Sequence, residues 1–594
     1  MTQEAKITRS GMRRLGVGDL RPGSARAGRG EGRPSPAIPS ADSAHLVRSF
    51  EFDDQTQFLA SKFRPKIELN NSLRDSTSNP SESDRTRREP GAGNRAQRRS
   101  HLRAIASRLV LLGLATTPSA TRGDLIYFRD GGRIQIPATT EGRSIVVRLG
   151  GESYEFAAED MEKRVPGQIP AEEWPARRAA VAKEPPSARF AAAWWALENG
   201  LVDEAAEELY AIHAVDPSHE PTRRMVAVLD DLKAPREDPD FGPFRKALGV
   251  STKVARGPQV LLLHQHPDDE AAERVEFIGR IVTAYHLLFA GSGVPLTTPR
   301  RRLVLAWFAD RADYRTFLMA NDAQAFAPTR GYYHPTWNAV VIYDARSSDQ
   351  QRGDRAAFAK RREELATLRE GLEGLPAAGR LRIAIAGRRP QVVGKSDGRA
   401  LADRLERDVR RGELLLEAER RAYDEGITAH EMVHLLSADG GLNPRHDAFP
   451  VWLQEGLAMQ FEVVRGGRWA GIGQPHDIRL PDWRRIQPAP LLEPLLRDRG
   501  FGRGYSRDPY VEAWALVYFL RARRGDQFLK FLDLLRAPGV DLDFSQPRDA
   551  FRRAFGDDVA ALELEWRQYL STTKTPLELH EPHPPTPAET RSRD

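Results

Sequence analysis

The stretch GITAHEMVHLLSADGG, residues 426–441, decides how the chain is read. On helical spacing it is apolar on almost every face. Ile427, Ala429, Met432, Val433, Leu435 and Leu436 are interrupted chiefly by Thr428, His430, Glu431 and His434. A helix that is hydrophobic all round belongs in a core, and buried ionisable groups are costly unless they are paired or bind a metal. Two imidazoles and a carboxylate in such a helix call for a reason. The motif helix is expected to start after Gly426 and to stop at Gly440-Gly441.

His430-Glu431-Met432-Val433-His434 has the spacing H-E-x-x-H. Residues four apart on a helix differ in direction by about 40°, so both imidazoles can reach one ion. Glu431 is turned by about 100° and can miss the ion yet hydrogen-bond a water beside it. Zinc with three protein ligands keeps one position open and lowers the pKa of a water to about 7. Glu431 can then accept that water's proton and hand it to a leaving group. Incidental surface residues would not be set in so apolar a helix, and satisfied core histidines would need a separate partner each.

A third ligand has to come from another element. FPVWLQEGLAMQFE, residues 449–462, reads as a second apolar helix in which Gln454 and Glu455 stand among Trp452, Leu453, Leu457 and Met459. Glu455 follows His434 closely enough for a turn and an antiparallel return. With these residues the sequence resembles the gluzincins, the thermolysin-like and aminopeptidase-N-like zinc peptidases, in which a helix carrying H-E-x-x-H is followed by a second helix giving a Glu ligand. WLQEGLA looks most like an uncharacterised bacterial branch of peptidase-MA-like proteins. The resemblance spans roughly residues 255–572, and its specific part is residues 430–462.

The resemblance implies that His430, His434 and Glu455 hold one Zn2+ per chain, that Glu431 is the general base, and that the substrate is a peptide or protein. It also implies a Tyr on a later helix as donor to the developing oxyanion. Tyr510, at a helix start after Pro509, is the first candidate, and Tyr505 stands in the loop before it. His476 is a candidate proton donor in a loop. YYHPTWNAVVIYD, residues 332–344, matches where gluzincins pair an extended peptide with a sheet edge. Thermolysin-like relatives carry an Asp four places after the Glu ligand; here that place is Met459, so the residues behind the ligands must differ, with Asp439 or Glu462 as candidates to orient an imidazole.

Around this centre the sequence predicts a multi-domain α+β chain. Residues 1–97 are rich in Arg, Ser, Gly and Pro and read as a disordered basic tail, in keeping with a true start near residue 95. Residues 98–121 have a basic stretch, a short apolar run from Leu109 to Ala115 and small residues after it, the layout of a secretory signal. They point to export; a short amphipathic helix in a cytosolic protein is the other reading. Residues 122–165 alternate as a small four-stranded β module, and 172–235 form two or three helices resembling a single tetratricopeptide-like hairpin. Residues 255–572 form the gluzincin-like α/β domain with a helical C-terminal half, 350–425 being a charged helical insertion. Residues 573–594 are expected to be a disordered, Pro-rich tail.

Composition limits the alternatives. The chain has 594 residues and no cysteine, which excludes disulfides, thiolate zinc sites and cysteine nucleophiles. Its formal charge of +6 is not spread over the folded part. Residues 1–100 hold 19 Lys and Arg against 12 Asp and Glu, leaving 70 against 71 for the rest, so the body lacks the basic footprint of a nucleic-acid binder. The apolar run near residue 110 is too short to span a bilayer. Two further readings stand beside the peptidase: a non-catalytic envelope binding or scaffolding protein on a gluzincin-like fold, and a structural α/β protein without metal. A binding module has no need of a base at Glu431.

Overall fold

The computed structural model describes residues 122–582 apart from 130, 168, 386–389, 444–448, 487–490, 502–507 and 538–545. The expected N-terminal tail, the signal-like segment and Tyr505 lie outside the described residues, as does most of the C-terminal tail. The described chain is a mixed α/β structure in which helices predominate and several small sheets are separate from one another.

Strands β1 (Arg122–Phe128), β2 (Arg133–Glu141), β3 (Ser144–Leu149), β4 (Glu152–Ala157) and β5 (Met161–Val165) form one antiparallel sheet in the order β4-β3-β2-β1-β5. Alternating residues such as Ile134, Ile136, Ile145 and Val147 make its buried face, which closes over Leu414. The sheet has five strands where the sequence predicts four. MEKRV buries only Met161, so its alternation is too weak to be read, yet it completes the free edge of β1.

Four helices follow where two or three are expected: α1 (Pro170–Val181), α2 (Pro186–Glu198), α3 (Val202–Val215) and α4 (Glu220–Lys233). Two of the three breaks fall at Asn199-Gly200 and Asp216-Pro217. Proline in the first turn of α1, α2 and α4 removes an N–H that has no helical partner there anyway.

After α5 (Gly242–Ala247) comes the central sheet: β6 (Lys253–Arg256), β7 (Val260–His264), β8 (Leu303–Phe308), β9 (Gly331–His334) and β10 (Ala339–Tyr343), in the order β6-β7-β8-β10-β9. β7, β8 and β10 are parallel and the two edge strands antiparallel. Every residue of VLLLH, LVLAWF and AVVIY is buried, because helices cover both faces. Leu261, Leu263 and Val341 pack against α5 and α7 (Arg311–Ala320). Val260, Leu262 and Val340 pack on the other face, in the core shared by α6 (Asp268–Gly291) and the motif helix.

The charged insertion is helical, as predicted, and folds as a hairpin. α8 (Asp349–Glu373) is joined through β11 (Arg380–Ile383) and β12 (Gln391–Gly394) to α9 (Lys395–Asp439). Its antiparallel register shows in the ion pairs Arg369–Glu406 at 2.5 Å, Arg362–Glu413 at 2.6 Å and Arg355–Glu417 at 3.7 Å. One expectation is corrected. The motif helix does not start after Gly426: α9 is continuous over 45 residues and carries H-E-x-x-H in its last third. Gly426 is a point of close approach, since a Cβ there would come within 3.0 Å of the Glu462 carbonyl.

Beyond the motif run α10 (Val451–Ala458), the hairpin β13 (Val464–Arg465) and β14 (Arg468–Trp469), α11 (Arg479–Arg485), α12 (Leu492–Leu495) and α13 (Pro509–Arg523). Residues 510–520 of α13 are all buried and form the wall against which α10 packs. Among the described residues no helix is long and apolar enough to cross a membrane.

Candidate metal centre

His430 and His434 stand one turn apart on the buried end of α9, and α10 brings Glu455 up to both. Nε2 of His430 is 3.1 Å from Nε2 of His434 and 3.2 Å from Oε2 of Glu455. Nε2 of His434 is 3.7 Å from Oε1 of Glu455. A tetrahedral zinc with bonds of about 2.0–2.2 Å sets its donors about 3.4 Å apart. The three observed separations scatter about that value, so the donor set fits the ion in number, chemistry and spacing. Among the described residues it is the one group of three or more His, Asp or Glu close enough together to hold a metal. Burial opposes charge on Glu455, but His434 and His430 beside it hold its carboxyl well below the usual range.

His430 is oriented from behind. Its Nδ1 is 2.6 Å from Oε1 of Glu462, which fixes Nδ1 as a donor and turns Nε2 toward His434 and Glu455. Glu462, just beyond α10, accepts from Arg479 Nη2 at 2.9 Å and Nε at 3.2 Å. Of the two residues expected to orient an imidazole, Glu462 does so; Asp439 instead hydrogen-bonds Asn338 and faces His286. His476, a candidate proton donor, belongs to the same outer layer. Its Nδ1 accepts from the backbone N–H groups of Ile478 and Arg479 at 3.2 and 3.4 Å, and its Nε2 lies 3.6 Å from Glu462 Oε2. Its Nε2 therefore faces Glu462.

Glu431 is 6 % exposed and lies outside the group of His430, His434 and Glu455. Its carboxylate accepts the backbone N–H of Tyr333 on the edge strand β9. Burial pushes its carboxyl up, against the pull of His430 and His434. A carboxylate raised in this way is better matched to taking and returning a proton near neutrality.

Tyr510 opens α13, whose N-cap Asp508 accepts from the Tyr510 N–H at 2.9 Å. The side chain is buried beside Phe501. Burial, and after it the Glu455 and Asp508 carboxylates, push its hydroxyl well above the usual range, with Glu431 contributing too. The phenol thus lies within the field of the site and keeps its proton at neutral pH.

Sequence reasoning missed three contributors. Asp498 accepts the backbone N–H groups of Val451 and Trp452, both at 2.9 Å, and so caps the helix that carries Glu455. Arg479 and the Tyr333 backbone complete the list. Each acts across a long sequence separation; the only local signal is an Arg set among apolar residues in IRLPDW.

Over residues 426–538 the chain is similar to a family described as "Protein of unknown function (DUF1570)". No curated protein and no solved structure matches it. The matched stretch begins at the glycine that lets α9 approach Glu462 and contains His430, Glu431, His434, Glu455, Arg479 and Tyr510.

Proposed function

We propose that this chain is a zinc-dependent metallohydrolase of gluzincin type that hydrolyses peptide bonds. The observation that carries the reading is the convergence of His430, His434 and Glu455 with Glu431 next to them on the same helix. One zinc held by these three residues would supply Lewis acidity and a more acidic water. Glu431, steadied by the Tyr333 N–H, takes the proton of the attacking water and returns it to the leaving amine. Tyr510, protonated at neutral pH, donates a hydrogen bond to the oxyanion. β9 ends the central sheet, and its edge suits backbone pairing with an extended peptide or protein segment.

The proposal extends to the rest of the chain. The helices α1–α4 are read as a tetratricopeptide-like module, and residues 98–121 as an export signal. A purely binding role is disfavoured by Glu431, a buried carboxylate that no ligand set requires. The test is a fluorogenic peptide library incubated with the zinc-loaded protein, the chelated protein and the chelated protein resupplied with zinc. Cleavage that disappears on chelation and returns with zinc supports the reading. Cleavage indifferent to chelation, or none with a zinc-loaded protein across the library, refutes it.

A further inference from the structure

The segment 462–479 leaves the metal centre and comes back to it. At one end Glu462 holds Nδ1 of His430, and at the other Arg479 and His476 hold Glu462. In between, the chain travels outward as the β13–β14 hairpin and a loop, so nothing helical sets its course. Its inner face is tied down locally. Trp469 Nε1 donates to the Phe461 carbonyl at 2.7 Å, Gly473 N to the Gln460 carbonyl at 2.8 Å, and Arg465 Nε to Asp477 at 2.7 Å.

Its outer face is held by the two N-terminal modules. Glu198 is the last residue of α2, where a backbone carbonyl has no partner within the helix. That carbonyl accepts from the backbone N–H of Ile472 at 3.1 Å and from Nε2 of Gln474 at 2.6 Å. Gly471, with φ of 99°, lies so close to it that a Cβ would overlap the Glu198 oxygen. The tip of the β13–β14 hairpin abuts Gln135 and Ile136 of β2.

We infer that the β sheet and the α1–α4 module are positioning elements for the metal centre, holding the strap 462–479 so that Glu462 stays on His430 Nδ1. The inference rests on the metal reading above and goes beyond it by giving the N-terminal modules a part in metal affinity. A strap released from Glu198 lets Glu462 and Arg479 drift, and the His430 ring loses its fixed tautomer and direction. Loss of an outer hydrogen-bond partner of this type costs about 10–100-fold in metal affinity. The similarity over residues 426–538 takes in the strap but neither module that clasps it.

The test is zinc affinity of the full chain, measured by competition with a chromophoric chelator, alongside circular dichroism and the thermal midpoint of the metal-free protein. Gly471→Val and Gln474→Ala are compared with wild type, with Glu462→Gln and with the double variant Gly471→Val/Glu462→Gln. The inference predicts about tenfold weaker zinc binding for Gly471→Val and a smaller loss for Gln474→Ala, each with the wild-type fold. It predicts a double variant no weaker than Glu462→Gln alone, because both changes act through one hydrogen bond. Should Gly471→Val fail to fold, Gln474→Ala carries the same comparison. Folded variants with wild-type affinity, or losses that multiply in the double variant, overturn the inference while leaving the metal centre intact. A wild-type chain that binds no zinc overturns both.

Discussion

His430 Nδ1 and Glu462 Oε1 are 2.6 Å apart, and Glu462 is gripped in turn by the Arg479 guanidinium at 2.9 and 3.2 Å. All three side chains are largely buried, at 7, 12 and 7 % exposure. The His430 imidazole is thus locked from behind by an ion pair that has no bulk water to fall back on.

Arg479→Met tests that pair. It leaves a buried carboxylate with its main counter-charge removed, a loss that costs about 3–5 kcal/mol. Urea unfolding of the metal-free protein is expected to show it, together with weaker zinc binding. An unfolding midpoint equal to wild type would mean that Glu462 is held by something else.

Glu431→Gln removes the base and keeps the shape. The variant is expected to bind zinc like wild type and to lose about 10²–10⁴-fold in turnover of any peptide the wild type cleaves. Equal turnover would remove Glu431 from the mechanism.

Tyr510→Phe deletes one donor while keeping the ring against Phe501. Loss of an oxyanion donor is expected to lower kcat by about 10²–10³-fold with little change in KM or in the thermal midpoint. A loss confined to stability would make Tyr510 a packing residue.

A zinc ion at His430 would compete there with protons. In the metal-free site burial opposes charge on the ring, but the Glu455 and Glu462 carboxylates outweigh it and raise its pKa well above the ordinary value. A group raised in the folded state gives stability that is complete below its unfolded pKa of about 6.5 and is lost as pH rises through the folded value. Zinc needs the neutral ring, so its binding at pH 7 must expel that proton. Calorimetry in buffers of different ionisation enthalpy is expected to read about one proton released per zinc, with affinity rising from pH 6 to pH 8. Binding that neither releases a proton nor responds to pH would contradict the assignment of His430.

The cluster of His430, His434 and Glu455 is legible because its physics is local. Polar residues in an all-apolar helix have to be used, and a second such helix with one Glu follows at once. The stretch 332–344, read as a sheet edge, folds as the adjacent strands β9 and β10, which pair across one short connection. The outer layer is not legible in this way. Arg479 and His476 meet Glu462 only after a hairpin and a loop have gone out and returned, and no periodicity marks that path. Asp498 caps α10 from 47 residues away. Gly426 misleads because glycine ends helices more often than it sits inside them; here the lack of a side chain serves the approach to Glu462.

The central claim is that His430, His434 and Glu455 hold a metal. Elemental analysis of the purified full chain beside His430→Ala tests it most directly. The account predicts about one zinc per wild-type chain and none in the variant, with both proteins folded. A folded wild-type protein that stays free of zinc after incubation with the ion would contradict it.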